Sequence, residues 1–274
     1  MSFHQMIKRY MVIKQLKGHS GCKIVLYEKD NSKFVRKVSS SPSYNERLKR
    51  QMYKQANFES SHIKAPKILN SGEEKDLFFF DMEYVGGVTF SNYISSTTIQ
   101  NSDLIMEKLL HLTDQNNDGN DDFTSAIHDK LQYITDKVSF SGEPYKSYCL
   151  DFDWTSISTG FCHGDLTFEN ILIYKSQIYL IDFLDSFVDT KYMDISKLLQ
   201  DVMLMWSWRD SEKFPLVKNI YMYDKIMSGL DDNEKEIVQR LLVLNMLRIL
   251  PYANEQSHAV VKNSLNFLKE KFEI

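Results

Sequence analysis

The sequence predicts an α+β protein in two lobes, a small antiparallel β-rich N-terminal lobe with one helix and a larger, mainly helical C-terminal lobe. Three observations predict it. Strand-like apolar runs joined by short turns fill residues 1–84, with a single helical stretch among them. Val85-Gly86-Gly87 comes next, and paired glycines suit a hinge because they accept backbone angles that other residues resist. From Thr89 onward the apolar spacing becomes helical. The predicted division is therefore a lobe at 1–84, a hinge at 85–88 and a helical lobe at 89–274.

In order along the chain, MVIKQLKG and KIVLYEKD read as strands around the turn GHSG, Gly18 to Gly21. Asp30-Asn31 makes a second turn into the strand KFVRKVS. Ser41 and Pro42 suit an N-cap and a first helical residue for the helix YNERLKRQMYKQANF, and Ala65-Pro66 ends that unit. KILNSGEEKDLFFFDMEYV reads as a hairpin with the polar SGEEKD at its tip. Beyond the glycines, SDLIMEKLLHLTD and FTSAIHDKLQYITDKV carry helical periodicity. The acidic run DQNNDGNDD between them reads as a solvated loop, since it lacks the terminal glutamate of an EF-hand. The C-terminal part reads as entirely helical, IVQRLLVLNMLRIL being its most apolar segment.

Composition narrows the function classes. In 274 residues, 43% hydrophobic and 26% charged, the formal net charge is −4, which argues against a nucleic-acid binder that would need a basic surface. Cys22, Cys149 and Cys162 are scattered, odd in number and without CxxC spacing, so neither a disulfide framework nor a zinc site is expected. Lys or Arg interrupts every apolar run near the start, and LLVLNMLRIL is far too short for a membrane span. The expectation is a cytoplasmic protein that engages neither membrane nor nucleic acid.

The chemistry concentrates in HGDLTFENIL, His163 to Leu172, and in QIYLIDFLD, Gln177 to Asp185. Asn170 follows Asp165 by five positions, and Asp182 follows Asn170 by twelve. ILIY and QIYLI are two short strands with Lys175-Ser176 at their turn, so the residues flanking this hairpin, Asn170 and Asp182, can converge on one point. An amide oxygen beside a carboxylate suits Mg2+, a hard cation that takes few protein oxygens and the rest from phosphate and water. Asp165, on the loop just before, is placed to hold a substrate hydroxyl off the metal. Any one such acidic residue is commonly a cap or a surface group; three flanking one hairpin are hard to obtain from packing alone.

HGDLTFEN with IDF resembles the catalytic and metal-binding motifs of the aminoglycoside phosphotransferase and choline kinase family, small-molecule relatives of the protein kinases. Gly164 stands where protein kinases have arginine, and Leu184 where they have the glycine of DFG. The resemblance implies a protein-kinase-like fold whose N-terminal lobe binds nucleotide and whose C-terminal lobe carries catalysis and the acceptor. It implies Mg·ATP as phosphoryl donor, Asp165 as catalytic base, and Asn170 and Asp182 as Mg2+ ligands. Asp194, in YMDISKLL, matches the aspartate that buttresses the catalytic loop. GHSGCKIVLY resembles the turn that covers the phosphates, with Gly18, Ser20 and Gly21 offering backbone N–H groups, although hairpin tightness accounts for the glycines equally well. Lys37 matches the strand lysine on the α and β phosphates; Arg36 is its neighbour, and a register slip of one residue would exchange them. DMEYVGG resembles the segment whose backbone, at Glu83 and Val85, pairs with adenine, and FFFDMEYV also reads as a buried strand. Where the family's helix offers a glutamate to the strand lysine, Gln51 stands at the expected place and Glu46 lies more than a turn earlier, so either Glu46 reaches Lys37 by a shifted helix or Gln51 makes a neutral hydrogen bond to it.

Only nine residues separate Asp182 from Tyr192, near the start of the next helix, too few for the platform on which protein kinases hold a peptide, and no A-P-E is present there. A small-molecule hydroxyl acceptor is therefore expected: an aminoglycoside, choline or ethanolamine, an amino-sugar or a sugar. Trp206, Trp208, Asp201, Asp210 and Glu212 would suit a cationic acceptor through cation–π and ion-pair contacts, and Met203, Met205 and Trp206 at helical spacing suit a core equally. The alternatives are a nucleotide-binding pseudokinase or partner-binding module, which Gln51 favours, and an atypical protein kinase, which the short segment opposes.

Overall fold

A computed structural model describes residues 10–16, 21–114, 119–138 and 142–274. It divides into two units, Met1–Val88 with Leu172–Asp185, and Thr89–Ile171 with Ser186–Ile274.

In the first unit β1 (Met11–Leu16), β2 (Lys23–Lys29) and β3 (Ser32–Val38) run antiparallel, and after β4 (Ile63–Lys64) come β5 (Ile68–Glu74) and β6 (Leu77–Glu83). Together, without β4, they form a five-stranded sheet in the order β1-β2-β3-β6-β5. Asp30 and Asn31 both adopt left-handed angles, φ 51° and 61°, as the tight two-residue hairpin turn requires. Lys75 and Asp76 do the same, at φ 52° and 64°. The second hairpin therefore turns on Lys75-Asp76 alone. Ser71 to Glu74, expected at its tip, pair with Phe80 to Leu77, because the outer strand of an antiparallel sheet can carry polar side chains facing water.

Ser41 and Pro42 open a 3-10 turn, Pro42–Tyr44, rather than the helix itself. The Ser41 hydroxyl meets that of Ser43 at 2.9 Å instead of capping a backbone N–H. Helix α1 (Asn45–Ala56) comes after it and buries Leu48, Gln51, Met52 and Gln55, one face at helical spacing. Leu48 and Met52 pack with Leu26, Val35, Phe78, Phe80 and Met82 in this unit's core. In β3, Arg36 lies opposite Asp81 of β6 and donates to both of its carboxylate oxygens, at 2.7 and 2.9 Å, while its guanidinium covers the Phe79 ring at 3.9 Å. Strand alternation sends Lys37 to the other face, toward α1.

After β7 (Val88–Thr89), the second unit opens with α2 (Phe90–Ser96), capped by Thr89, and α3 (Ile99–Asp114). Residues 115–118 of the acidic run lie outside the described residues; Gly119–Asp121, expected as loop, forms β8, which pairs with β9 (Ile157–Thr159) beyond α4 (Thr124–Lys137) and α5 (Tyr145–Leu150). A backbone ladder is available to residues of any polarity, which is why composition did not reveal this strand. The hairpin of β10 (Ile171–Tyr174) and β11 (Gln177–Leu180) turns on Lys175-Ser176, again at left-handed angles of 48° and 62°. A second sheet has the order β4-β11-β10-β7.

Helices α6 (Lys191–Leu204), α7 (Leu216–Ser228), α8 (Asp232–Leu247) and α9 (Glu255–Lys271) complete the chain. α6 is buried from Tyr192 to Val202, and α8 over almost all of Ile237 to Leu247, so neither has a solvent face along most of its length. The C-terminal part is not helical throughout: Met205, at φ 55°, ends α6 in a left-handed cap, and an irregular stretch containing Pro215 precedes α7. Among the described residues no helix is long and apolar enough to cross a membrane, and Cys22, Cys149 and Cys162 are all buried and unpaired with one another.

At Gly87 the backbone passes close to another strand. Neither Gly86 nor Gly87 adopts a positive φ. A Cβ on Gly87 would lie 2.8 Å from the carbonyl oxygen of Ile173 in β10, a backbone atom with little room to yield. Gly86 has nothing nearer than the Tyr84 ring at 3.6 Å. Gly87→Ala should therefore destabilise the protein by about 1–3 kcal/mol in chemical denaturation, as overpacking does elsewhere, while Gly86→Ala should stay within about 0.5 kcal/mol of the wild type.

Candidate active site

In the first unit Lys37 is 3% exposed and its ammonium is held by two side chains. It donates to Gln51 Oε1 at 3.2 Å and makes a short ion pair with Asp182 Oδ1. Burial opposes the charge on Lys37, but Asp182 beside it more than offsets this and holds the pKa above the ordinary lysine value. Gln51 is thus the helix partner of Lys37, and its amide nitrogen donates in turn to the Tyr44 hydroxyl at 3.2 Å. Glu46, the other candidate, pairs with Lys49 on the surface at 2.8 Å. Arg36 is committed to Asp81 and Glu74, so the sheet register separates it from Lys37.

Asp182 sits two residues beyond β11 with φ 61°, a left-handed angle that an aspartate tolerates better than most residues. The segment after it is fastened to α1. Arg50 binds Asp185 through two nitrogens at 2.9 and 3.0 Å, Lys54 donates to the Leu184 carbonyl at 3.2 Å, and Phe58 packs on Phe183 with centroids 5.3 Å apart. Of the residues matched to nucleotide contacts, Gly18 and Ser20 lie outside the described residues. Gly21 adopts φ 73° at the start of β2. Glu83 donates its N–H to the Lys67 carbonyl at 2.9 Å. Val85 is half-buried, just before Gly86.

The second unit holds Asp165 and Asn170 on one tight loop. Gly164 takes φ 86°, an angle that a side chain there would resist, and Thr167 closes on the Asp165 carbonyl at 2.7 Å. The Asn170 amide nitrogen reaches back to Asp165, 2.9 Å from its carbonyl and 3.0 Å from Oδ2. The loop lies along α6, which grips it at three places. Asp194, 3% exposed, accepts the N–H of His163 at 2.6 Å and of Gly164 at 2.8 Å, as the resemblance implies. Lys197 Nζ lies 3.0 Å from Asp165 Oδ1. Asp201 accepts the N–H of Phe168 at 2.5 Å and of Ser207 at 2.8 Å. Residues 194, 197 and 201 are spaced three and four apart, so they occupy one helix face. No motif marks Lys197; the signal that could have found it is this stripe of charge along one face of a buried helix.

Burial pushes the Asp165 carboxyl up, but Lys197, with His163 and Arg248 adding to it, outweighs burial and holds Asp165 below the usual carboxylate range. The side chains expected to meet a cationic acceptor are largely committed elsewhere. Asp201 is fully buried on the two backbone N–H groups. Trp208 is buried against Phe168, with its indole N–H on Ser95 at 3.3 Å. The face of Trp206 is covered by the Arg209 guanidinium at 4.8 Å, and Arg209 pairs with Glu169 at 3.0 Å. Asp210 and Glu212 are exposed.

Each unit offers an oxygen donor of the kind a hard cation such as Mg2+ takes. Asn170 directs its amide nitrogen to Asp165, so its oxygen is available to a cation, and Asp182 contributes a partly exposed carboxylate. Among the described residues no three His, Cys, Asp or Glu side chains cluster as an all-protein metal cage would need.

Asp201 makes the site's mooring sensitive to pH. Burial raises its carboxyl to about 7, against the opposing pull of Ser207 and Phe168. A raised folded-state pKa means that, above the ordinary carboxylate value, the folded protein holds a proton that the unfolded chain has lost, so stability falls as pH rises through this window and levels above it. The unfolding free energy of the wild type should therefore fall relative to Asp201→Asn between pH 5 and 7, by up to about 1.4 kcal/mol per pH unit, in denaturant titrations at each pH. Parallel profiles for the two proteins would refute the assignment.

No family profile and no curated protein sequence matches the chain. Solved structures do. A thermostable mutant of aminoglycoside phosphotransferase APH(4)-Ia in its apo form is 15% identical with a TM-score of 0.65, the match covering 96% of this chain and 95% of that one. The same enzyme in ternary complex with ADP and hygromycin B is 15% identical, with a TM-score of 0.64 and coverage of 94% and 93%. A protein from Haemophilus somnus 129PT designated a fructosamine-3-kinase is 14% identical, with a TM-score of 0.67 and coverage of 94% and 92%. The chain has the protein-kinase-like fold of the small-molecule kinases to which these neighbours belong.

Proposed function

We propose that this chain is a small-molecule kinase that moves the γ-phosphoryl group of Mg·ATP to a hydroxyl of a small acceptor. The observation that carries the reading is the loop of residues 163–170, where Asp165 and Asn170 are hydrogen-bonded to one another and the backbone is moored by Asp194 and Asp201. The ADP and hygromycin B bound by one structural neighbour support a nucleotide donor and a hydroxylated small-molecule acceptor.

In this reading Lys37 neutralises the α and β phosphates, and the backbone of Gly18, Ser20 and Gly21 covers them. The Glu83 carbonyl and the Val85 N–H pair with adenine. Asn170 and Asp182, the residues flanking the β10–β11 hairpin, would hold Mg2+, which would supply positive charge to offset that of the phosphates. Asp165 orients the acceptor hydroxyl and takes its proton. The hydroxyl oxygen forms the new bond to the γ-phosphorus, the bond from phosphorus to the bridging oxygen breaks, and ADP leaves with that electron pair. Positioning and charge neutralisation supply the rate, without a covalent intermediate.

A second reading, a nucleotide-binding pseudokinase, rests on Gln51, whose neutral amide meets Lys37 where a carboxylate would make a charge-assisted bond about twice as strong. ADP release from Mg·ATP across a panel of choline, ethanolamine, amino-sugars, aminoglycosides and sugars separates the two. One acceptor should stimulate release; Asp165→Asn should lower that turnover at least about a hundredfold with ATP still bound. Lys37→Met should weaken ATP binding about ten- to a hundredfold, the worth of a charged hydrogen bond. ATP binding without stimulation by any acceptor would favour the pseudokinase, and absence of ATP binding would sink both.

A further inference from the structure

Lys197 is a charged side chain, 7% exposed, in a helix that is buried nearly throughout. Burying an ammonium is unfavourable unless it is paired, and replacing such pairs with apolar residues is often neutral or stabilising, so packing alone does not account for its presence. Among the described residues its ammonium meets Asp165 Oδ1 at 3.0 Å and Gln200 Oε1 at 3.2 Å. The charge is therefore directed at the carboxylate of the loop.

We propose that Lys197 is a positioning residue that fixes the Asp165 carboxylate for the acceptor, an assignment that rests on the kinase reading above. Asp165 is gripped from two sides, Oδ1 by the Lys197 ammonium and Oδ2 by the Asn170 amide. Two holds on opposite oxygens fix both torsions of a short side chain. A carboxylate offers about four lone-pair positions, so both oxygens keep one for an incoming hydroxyl, and the side chain is 30% exposed to receive it. The base of Lys197 is itself fixed, because the neighbouring contacts of α6, Asp194 to His163 and Gly164 and Asp201 to Phe168, bracket it on the same face. Without the ammonium, Asp165 loses the hold on Oδ1 and can rotate about the Asn170 contact. Lys197 acts through Asp165, so removing it matters only while Asp165 is present.

The test is acceptor-stimulated ADP release by the full chain in a cycle of Lys197→Met, Asp165→Asn and the double variant, with Lys197→Arg beside them, together with ATP affinity and the thermal midpoint of each. Lys197→Met is expected to lower kcat at least tenfold, with the KM for ATP within twofold of wild type and the fold retained. Lys197→Arg should recover part of that loss, and in the Asp165→Asn background Lys197→Met should cause no further loss. An equal fractional loss in both backgrounds overturns the proposal, because Lys197 would then act independently of Asp165. So does a loss carried entirely by the KM for ATP, or wild-type turnover in Lys197→Met. A wild-type protein that releases no ADP with any acceptor of the panel overturns the kinase reading itself, and the role of Lys197 with it.

Discussion

The capture of two backbone N–H groups by the Asp194 carboxylate is the constraint on which the candidate site depends. A loop with few regular hydrogen bonds cannot hold its shape in a protein interior unless its polar backbone groups find partners. Asp194 supplies them at His163 and Gly164, the point where Gly164 turns the chain through a left-handed angle. Everything downstream inherits that anchor: Asp165 comes immediately after, Thr167 folds back on it, and Asn170 closes the loop before β10 begins. Because α6 is buried along most of its length, the anchor is fixed to the core of its unit and not to a mobile surface.

The first unit solves a similar problem with charge. Lys37 is buried and must be neutralised, and among its side-chain partners only Asp182 is a full counter-charge. Gln51 contributes direction with no charge, so the lysine is held more by the carboxylate after the hairpin than by the helix beside it. The three links from α1 to residues 183–185 hold that carboxylate's segment in place. Arg36 shows the opposite use of a buried cation. Its bidentate grip on Asp81 and its place over Phe79 make it a fastener of the sheet.

Much of this was legible in the sequence where the pattern is local. The hairpin turns at Asp30-Asn31 and Lys175-Ser176, the helix through Leu48 and Met52, and the spacing of Asp165, Asn170 and Asp182 all derive from neighbours a few positions apart. The misreadings were of positions where composition misleads: an acidic run that forms part of a strand, and a polar stretch that belongs to a ladder. The tryptophans and Asp201 carried a plausible acceptor chemistry by type, but Phe168, Ser95 and Arg209 already occupy most of them.

The sequence by itself determined the fold class, the hairpin turns and the loop that carries Asp165, because periodicity, turn chemistry and short motifs are properties of adjacent residues. Only the tertiary structure decided which side chains meet: Lys37 with Gln51 in place of Glu46, Arg36 with Asp81, and Lys197 with Asp165. Those pairings join residues 14, 45 and 32 positions apart, and at such separations the partner is chosen by sheet register and by the face a helix turns toward a loop, which no local pattern encodes.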